Sequence, residues 1–117
     1  MPGMSIHVVD VARGVVARGL RARVERLTDD ARLLIAEGAI ADDGLLRAPD
    51  IAGKLQAGVY EVTFLIGEWL RATSDGAPAV PFLDVVPYRF GIADPSAHYH
   101  LPFKFTPWGF SCFRGGA

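Results

Sequence analysis

Along Leu20-Arg21-Ala22-Arg23-Val24-Glu25-Arg26-Leu27 apolar and charged residues alternate, the period of a strand with one dry and one wet face. Gly58 to Ile66 carries the densest run of β-branched and aromatic residues and gives the strongest strand signal in the chain. Ser5 to Val11, rich in β-branched residues and ending at Arg13-Gly14, reads as a first strand running into a turn. Thr28-Asp29-Asp30 supplies turn chemistry, and Ala31 to Ala36 returns as an antiparallel partner, although its Ala- and Leu-rich composition fits a helix equally. Asp42-Asp43-Gly44 marks another turn, and Leu45 to Gln56, broken by Pro49 and Gly53, reads as irregular. Gly67 to Ala72 has room for one short helical turn before a Thr73 to Pro78 loop. Phe82 to Ile92 is a strand whose Pro87 demands a bulge or a sheet edge. Asp94-Pro95-Ser96 turns the chain into a strand that begins at His98, and Pro107-Trp108-Gly109 separates it from a last strand, Phe110 to Arg114. Seven or eight short strands with one short helix predict an all-β sandwich.

The 117 residues predict one domain over positions 1–117, enough for one core, with no repeat, linker or low-complexity tract to suggest a second. Half of the residues are hydrophobic and the net charge is -1, so neither a nucleic-acid binder nor a disordered chain is expected. The expected partner is a small molecule or another protein. Cys112 is the single cysteine, which leaves no internal disulfide and no Cys-rich zinc site and suits a reducing cytoplasm. Its thiol reads as a small, partly buried apolar group rather than a nucleophile. Met1-Pro2-Gly3-Met4-Ser5 lacks a signal-peptide pattern and no apolar run has the length of a membrane span, so a soluble cytoplasmic protein is expected. Gly-rich phosphate loops, Ser-centred nucleophile elbows and helical His pairs for zinc are missing from the sequence.

The candidate chemistry sits at the two ends. In an extended segment His98 and His100 share one face and Tyr99 takes the other. A paired imidazole face followed by Arg114 suggests a site, with two surface histidines and a solvated basic tail as the alternative. His7, on the first apolar strand, is either a core histidine bonded to backbone or a third member of that site. Three imidazoles also raise the possibility of a zinc ion held by nitrogen.

Ser5-Ile6-His7-Val8-Val9-Asp10 with Arg13-Gly14, Gly58-Val59-Tyr60-Glu61, Pro81-Phe82-Leu83-Asp84, Arg89-Phe90-Gly91-Ile92 and the run from His98-Tyr99-His100 to Arg114-Gly115 together resemble the transthyretin-like 5-hydroxyisourate hydrolases. The pieces span nearly the whole chain in the right order. The resemblance implies a transthyretin-like, immunoglobulin-like β-sandwich assembled as a homotetramer, with sites at a subunit interface. It implies a hydrolase without cofactor or metal that opens a small cyclic ureide, 5-hydroxyisourate, between urate oxidation and allantoin. His7 and His100 would then be catalytic histidines and Arg114 a substrate clamp, with His98 at the rim and Gly115 in the binding tail.

Three positions depart from that pattern. The family's Tyr-Arg-Gly-Ser tail falls on Phe113-Arg114-Gly115-Gly116, followed by Ala117, and an Asp-Gly-Arg arginine falls on Leu45. Leucine cannot replace a guanidinium that holds an anion or a developing oxyanion. Arg47, two residues on, shares the face of Leu45 in an extended segment, about 7 Å away, and is the expected substitute. The departures keep two further readings open: a diverged paralogue acting on another cyclic substrate in specialised metabolism, and a protein that binds a small ligand without turnover.

Overall fold

Inward-facing residues from the two ends of the chain meet in the core. In the computed structural model, which describes residues 2–116, Met4, Ile6 and Val8 project inward from β1 (Gly3–Asp10). Leu101, Phe103 and Phe105 do the same from β7 (His98–Thr106). These two strands are parallel neighbours, paired without a register break from Gly3↔His98 to Asp10↔Phe105. The two-residue β2 (Val15–Val16) flanks β1 and β8 (Gly109–Cys112) flanks β7, giving the sheet order β2-β1-β7-β8. The facing sheet, β4-β3-β5-β6, holds β3 (Arg21–Leu27), β4 (Arg32–Ala39), β5 (Gly58–Leu65) and β6 (Val85–Ile92). Its Val24, Tyr60, Val62 and Phe64 complete the core, where the rings of Phe64 and Phe103 stack across the sheets with centroids 3.9 Å apart. Eight strands in two sheets and one short helix make the expected all-β sandwich.

The helix, α1 (Ile66–Thr73), follows β5 without a loop and closes one end of the sandwich. Trp69 packs edge-on against Phe105 and donates its indole N–H to the Arg18 carbonyl, 2.8 Å away. Among the described residues no helix is long and apolar enough to cross a membrane.

Several ambiguities of the sequence are resolved. The Ala31 to Ala36 segment is a strand, antiparallel to β3, and the register slips between Val24 and Glu25. That slip, with Leu33 and Leu34 left exposed at the sheet edge, is why periodicity did not separate strand from helix. Pro87 lies on the edge strand β6 opposite Thr63 with no break in register, so the edge, rather than a bulge, accommodates its missing N–H. The stretch expected to be irregular contains a 3-10 turn, Ile51–Lys54, and two isolated bridges, His7↔Leu45 and Ile40↔Leu46. β8 ends at Cys112, so Phe113 and Arg114 lie beyond the last ladder. Met1 and Ala117 fall outside the described residues, and with them the expected extra residue after the tail.

On the outer face of the second sheet Glu61 is only 7% exposed, beneath Arg89 from the adjacent β6 and Arg32 from β4, which reaches across β3. Arg32 donates to one carboxylate oxygen at 3.1 Å and Arg89 to the other at 3.0 Å. Burial raises the Glu61 carboxyl, but the hydrogen bonds and charges of Arg32 and Arg89 outweigh it and hold the group below its ordinary value. Its contribution to stability is therefore complete above the unfolded value of 4.5 and is lost as pH falls through the lower folded value. Glu61→Gln is expected to cost about 1 kcal/mol at neutral pH and to lose less on acidification than the parent. Urea unfolding at neutral pH and at about pH 3 measures this; parallel losses in both proteins would show that Glu61 carries no acid-linked stability.

Candidate active site

The alternation that sends Ile6 and Val8 into the core sends Ser5 and His7 to the outer face of β1. On β7 the same alternation exposes His98 and His100 while Tyr99 turns inward, where its hydroxyl accepts the amides of Ala93 and Asp94, each at 3.2 Å. Those bonds anchor the turn that launches β7 and fix which face its histidines take. Because Ser5 is paired with His100 in the parallel ladder, its side chain is carried to both imidazoles. Ser5 Oγ lies 2.6 Å from His100 Nδ1 and 2.9 Å from His98 Nε2. The serine stood in the sequence motif without a role; only the β1–β7 register places it between the histidines.

His7 is held from the other side. Beyond the short β2, the free edge of β1 is taken up by residues 44–46: the Val8 N–H donates to the Gly44 carbonyl at 2.9 Å, and the Leu46 N–H to that of Ile6 at 3.1 Å. His7 Nε2–H donates to the Asp43 carbonyl, 3.1 Å away. A carbonyl only accepts, so this contact puts the proton on Nε2 and leaves Nδ1 as the acceptor. Gly44 is demanded twice over: its φ is +85°, and a Cβ there would stand 2.5 Å from His7 Nε2.

Leu45 opposes His7 in an antiparallel bridge and so faces outward with it. Leu45 and Arg47 border a shallow depression of about 330 Å³ together with Met4, Ser5 and Pro49. The Arg47 guanidinium, however, is turned back onto Asp43 in an exposed ion pair. The Leu45 amide, and beyond it the Arg47 guanidinium, keep the Asp43 carboxyl below the usual carboxylate range.

The tail folds back over β7. Gly115 donates its amide to the His100 carbonyl at 2.7 Å, and a Cβ at this position would lie 2.8 Å from His100 Cδ2. Glycine here permits the tail to rest against the imidazole. Arg114 goes elsewhere: it donates to the His98 carbonyl at 3.2 Å and its guanidinium carbon lies 4.0 Å from the centroid of the Tyr99 ring. Phe113 and Gly116 are exposed on either side. The fold therefore gathers Ser5, His7, His98 and His100 on one sheet face, with Leu45 opposite His7 and Gly115 against His100, while Arg47 is turned onto Asp43 and the Arg114 charge sits at the start of β7.

Other chemistry is disfavoured locally. Burial pushes the half-buried Cys112 thiol up to about 11, the condition of an inert side chain. His98 and His100 converge on a hydroxyl rather than on an open point, and among the described residues no three His, Cys, Asp or Glu are grouped to hold a metal.

The Gly44 geometry makes a stability prediction. Gly44→Ala forces a left-handed backbone onto alanine and drives its methyl into the His7 ring and Val16, and is expected to lower stability by about 1–3 kcal/mol. Denaturant unfolding measures it, and a loss within about 0.5 kcal/mol would mean that the 44–46 segment yields without strain.

Comparison with known proteins places this geometry. The sequence profile of the HIUase/Transthyretin family matches residues 4–115. A 5-hydroxyisourate hydrolase of Deinococcus radiodurans is 43% identical over 97% of this chain and 96% of its own length. One from Ralstonia nicotianae is 39% identical over 98% of this chain and 99% of its own. Among solved structures, Klebsiella pneumoniae 5-hydroxyisourate hydrolase superposes with a TM-score of 0.76 at 26% identity, covering 99% of this chain and 100% of that one. A structure of (S)-allantoin synthase superposes with a TM-score of 0.84 at 34% identity over 97% of this chain, which spans 43% of that longer protein. The chain belongs to the HIUase/Transthyretin family.

Proposed function

We propose that this chain hydrolyses 5-hydroxyisourate in urate degradation, without a cofactor, on the outer face of β1 and β7. The observation that carries this reading is Ser5 held between His98 and His100, with His7 on the same outer face of β1, in a chain alignable end to end with relatives bearing that activity in their names. His100 is the base. Its Nε2 takes a proton from water as the oxygen's electron pair attacks the ureide carbonyl carbon. The resulting oxyanion collapses, the ring C–N bond breaks, and the leaving nitrogen takes the proton back from Nε2. His7, whose Nε2–H is committed to the Asp43 carbonyl, presents Nδ1 as an acceptor that orients the flat polar ring.

The chemistry also needs a cation for the developing charge. Arg47 borders the depression beside Ser5, and its exposed pairing with Asp43 leaves it free to exchange one carboxylate for another anion. Arg114, two residues beyond β8, reaches the same face by leaving the Tyr99 ring. Leu45 supplies the apolar wall next to His7, and Phe113, Gly115 and Gly116 form the tail that covers the ring.

The face is open to water in a single chain, whereas an oxyanion is best stabilised in a water-poor pocket. Exposed Val80, Phe82, Trp108, Phe110 and Phe113 offer the apolar surface for an assembly that closes it. A homotetramer with its sites at a subunit interface follows, working in the cytoplasm, where an unpaired Cys112 is stable. Sedimentation at micromolar concentration is expected to give a tetramer; an active monomer would remove the interface from the reading.

Freshly generated 5-hydroxyisourate is the decisive substrate. Wild type is expected to open it, His100→Asn to slow turnover by about a hundredfold or more, and Arg47→Ala to abolish the activity, while Leu45→Arg keeps or raises it. The uncharged Leu45 favours a second reading in one respect, a diverged paralogue with another cyclic substrate. In that case wild type is nearly inert, and Leu45→Arg with Phe113→Tyr and Gly116→Ser restores part of the activity. Full activity of His100→Asn would overturn the assignment of the base.

A further inference from the structure

We propose that Ser5 is a positioning residue that fixes the tautomer of His100, with His98 as the acceptor of the Ser5 hydroxyl proton. The proposal rests on the hydrolase reading in one respect: it is there that Nε2 of His100 must carry the free lone pair.

A serine hydroxyl has one proton and two lone pairs. Ser5 Oγ sits within hydrogen-bond distance of two imidazole nitrogens, and each contact needs one proton between its atoms. Two senses satisfy both contacts; in the proposed one the hydroxyl proton points at His98 Nε2 and Oγ is left as an acceptor toward His100. The 2.6 Å contact must then be supplied by Nδ1–H of His100. A neutral imidazole has one N–H, so Nε2 is the bare nitrogen. His98 thus determines, through Ser5, which nitrogen of His100 can act as base, and it does so without touching substrate.

The arrangement is polarised. Removing the hydroxyl frees His100 to populate both tautomers. Removing His98 has the opposite sign: the Ser5 proton is left with Nδ1 of His100 as its acceptor, and the ring proton moves to Nε2. A purely structural serine would give neither response, because the ladder that pairs Ser5 with His100 is made by backbone and survives both substitutions.

Two-dimensional nitrogen–proton correlation spectra of the full chain, with 15N-labelled histidine, read these states from the imidazole shifts. Wild-type His100 is expected as the Nδ1–H tautomer, Ser5→Ala as a mixture, and His98→Phe as the Nε2–H tautomer. Ser5→Thr, which keeps the hydroxyl, is expected to retain Nδ1–H. In the hydrolysis assay Ser5→Ala and His98→Phe are expected to lower kcat about tenfold with KM nearly unchanged, since the bound geometry is preserved. An Nε2–H tautomer in wild type, or one tautomer unchanged through Ser5→Ala and His98→Phe, overturns the proposal. Tautomers that follow the expected order in a protein inert toward 5-hydroxyisourate sink the hydrolase reading and leave the Ser5 linkage standing.

Discussion

The parallel pairing of β1 with β7 is the contact on which the rest of the molecule depends. It joins residues 95 positions apart, from Ser5 to His100, so its loop-closure cost must be met by what the register brings together. One register aligns Ile6 and Val8 with Leu101 and Phe103 inside and Ser5 with His100 outside. A slip of one residue would turn the apolar set to water and the imidazoles into the core, so core packing enforces the geometry of the polar face. A site of loosely placed histidines is thereby held by the least adjustable part of the fold.

The two sheets treat their outer faces differently. The β4-β3-β5-β6 sheet neutralises its buried carboxylate with one arginine from the adjacent β6 and one that reaches across β3 from β4, and Arg32 also contacts Glu25 at 3.2 Å. Charge there is matched by charge. On the β2-β1-β7-β8 sheet the face around Ser5 carries imidazoles and a hydroxyl, groups that can donate or accept and whose protons can be redistributed. Among the described residues their side chains bond to a backbone carbonyl and to one another, an arrangement suited to moving a proton and poorly suited to adding stability.

Much of this was legible in the sequence, because period-two alternation is a local signal. Leu20 to Leu27, Gly58 to Ile66 and the His98 strand were read directly, and the shared face of His98 and His100 followed from spacing alone. The fold class followed from the count of strands. Other features had no local signature. β2 has two residues, too few for a period, and residues 44–46 complete the edge of β1 only because a distant strand offers unpaired groups there. Ser5 looked like one of several β-face residues until the parallel register placed it against the histidines. The resting place of Arg114 had no local signature either: in the single chain the Tyr99 ring and the His98 carbonyl hold its guanidinium. Side-chain destinations depend on the neighbours that tertiary structure delivers.

Leu45, at the position where the family resemblance leads one to expect an arginine, is best understood through what surrounds it. Leu45 stands opposite His7 on the β1 edge, where the preceding glycine brings its own backbone against the imidazole. Arg47 lies two residues further on, borders the same depression, and is paired with the carboxylate of Asp43 rather than its backbone. An exposed pair of this kind is weakly held, while a charge-assisted bond to an anion in a closed pocket is strong, so the exchange favours the bound state whenever the pocket excludes water. On the proposed reading Arg47 supplies the cation that Leu45 lacks, and its strength as a clamp depends on closure of the face.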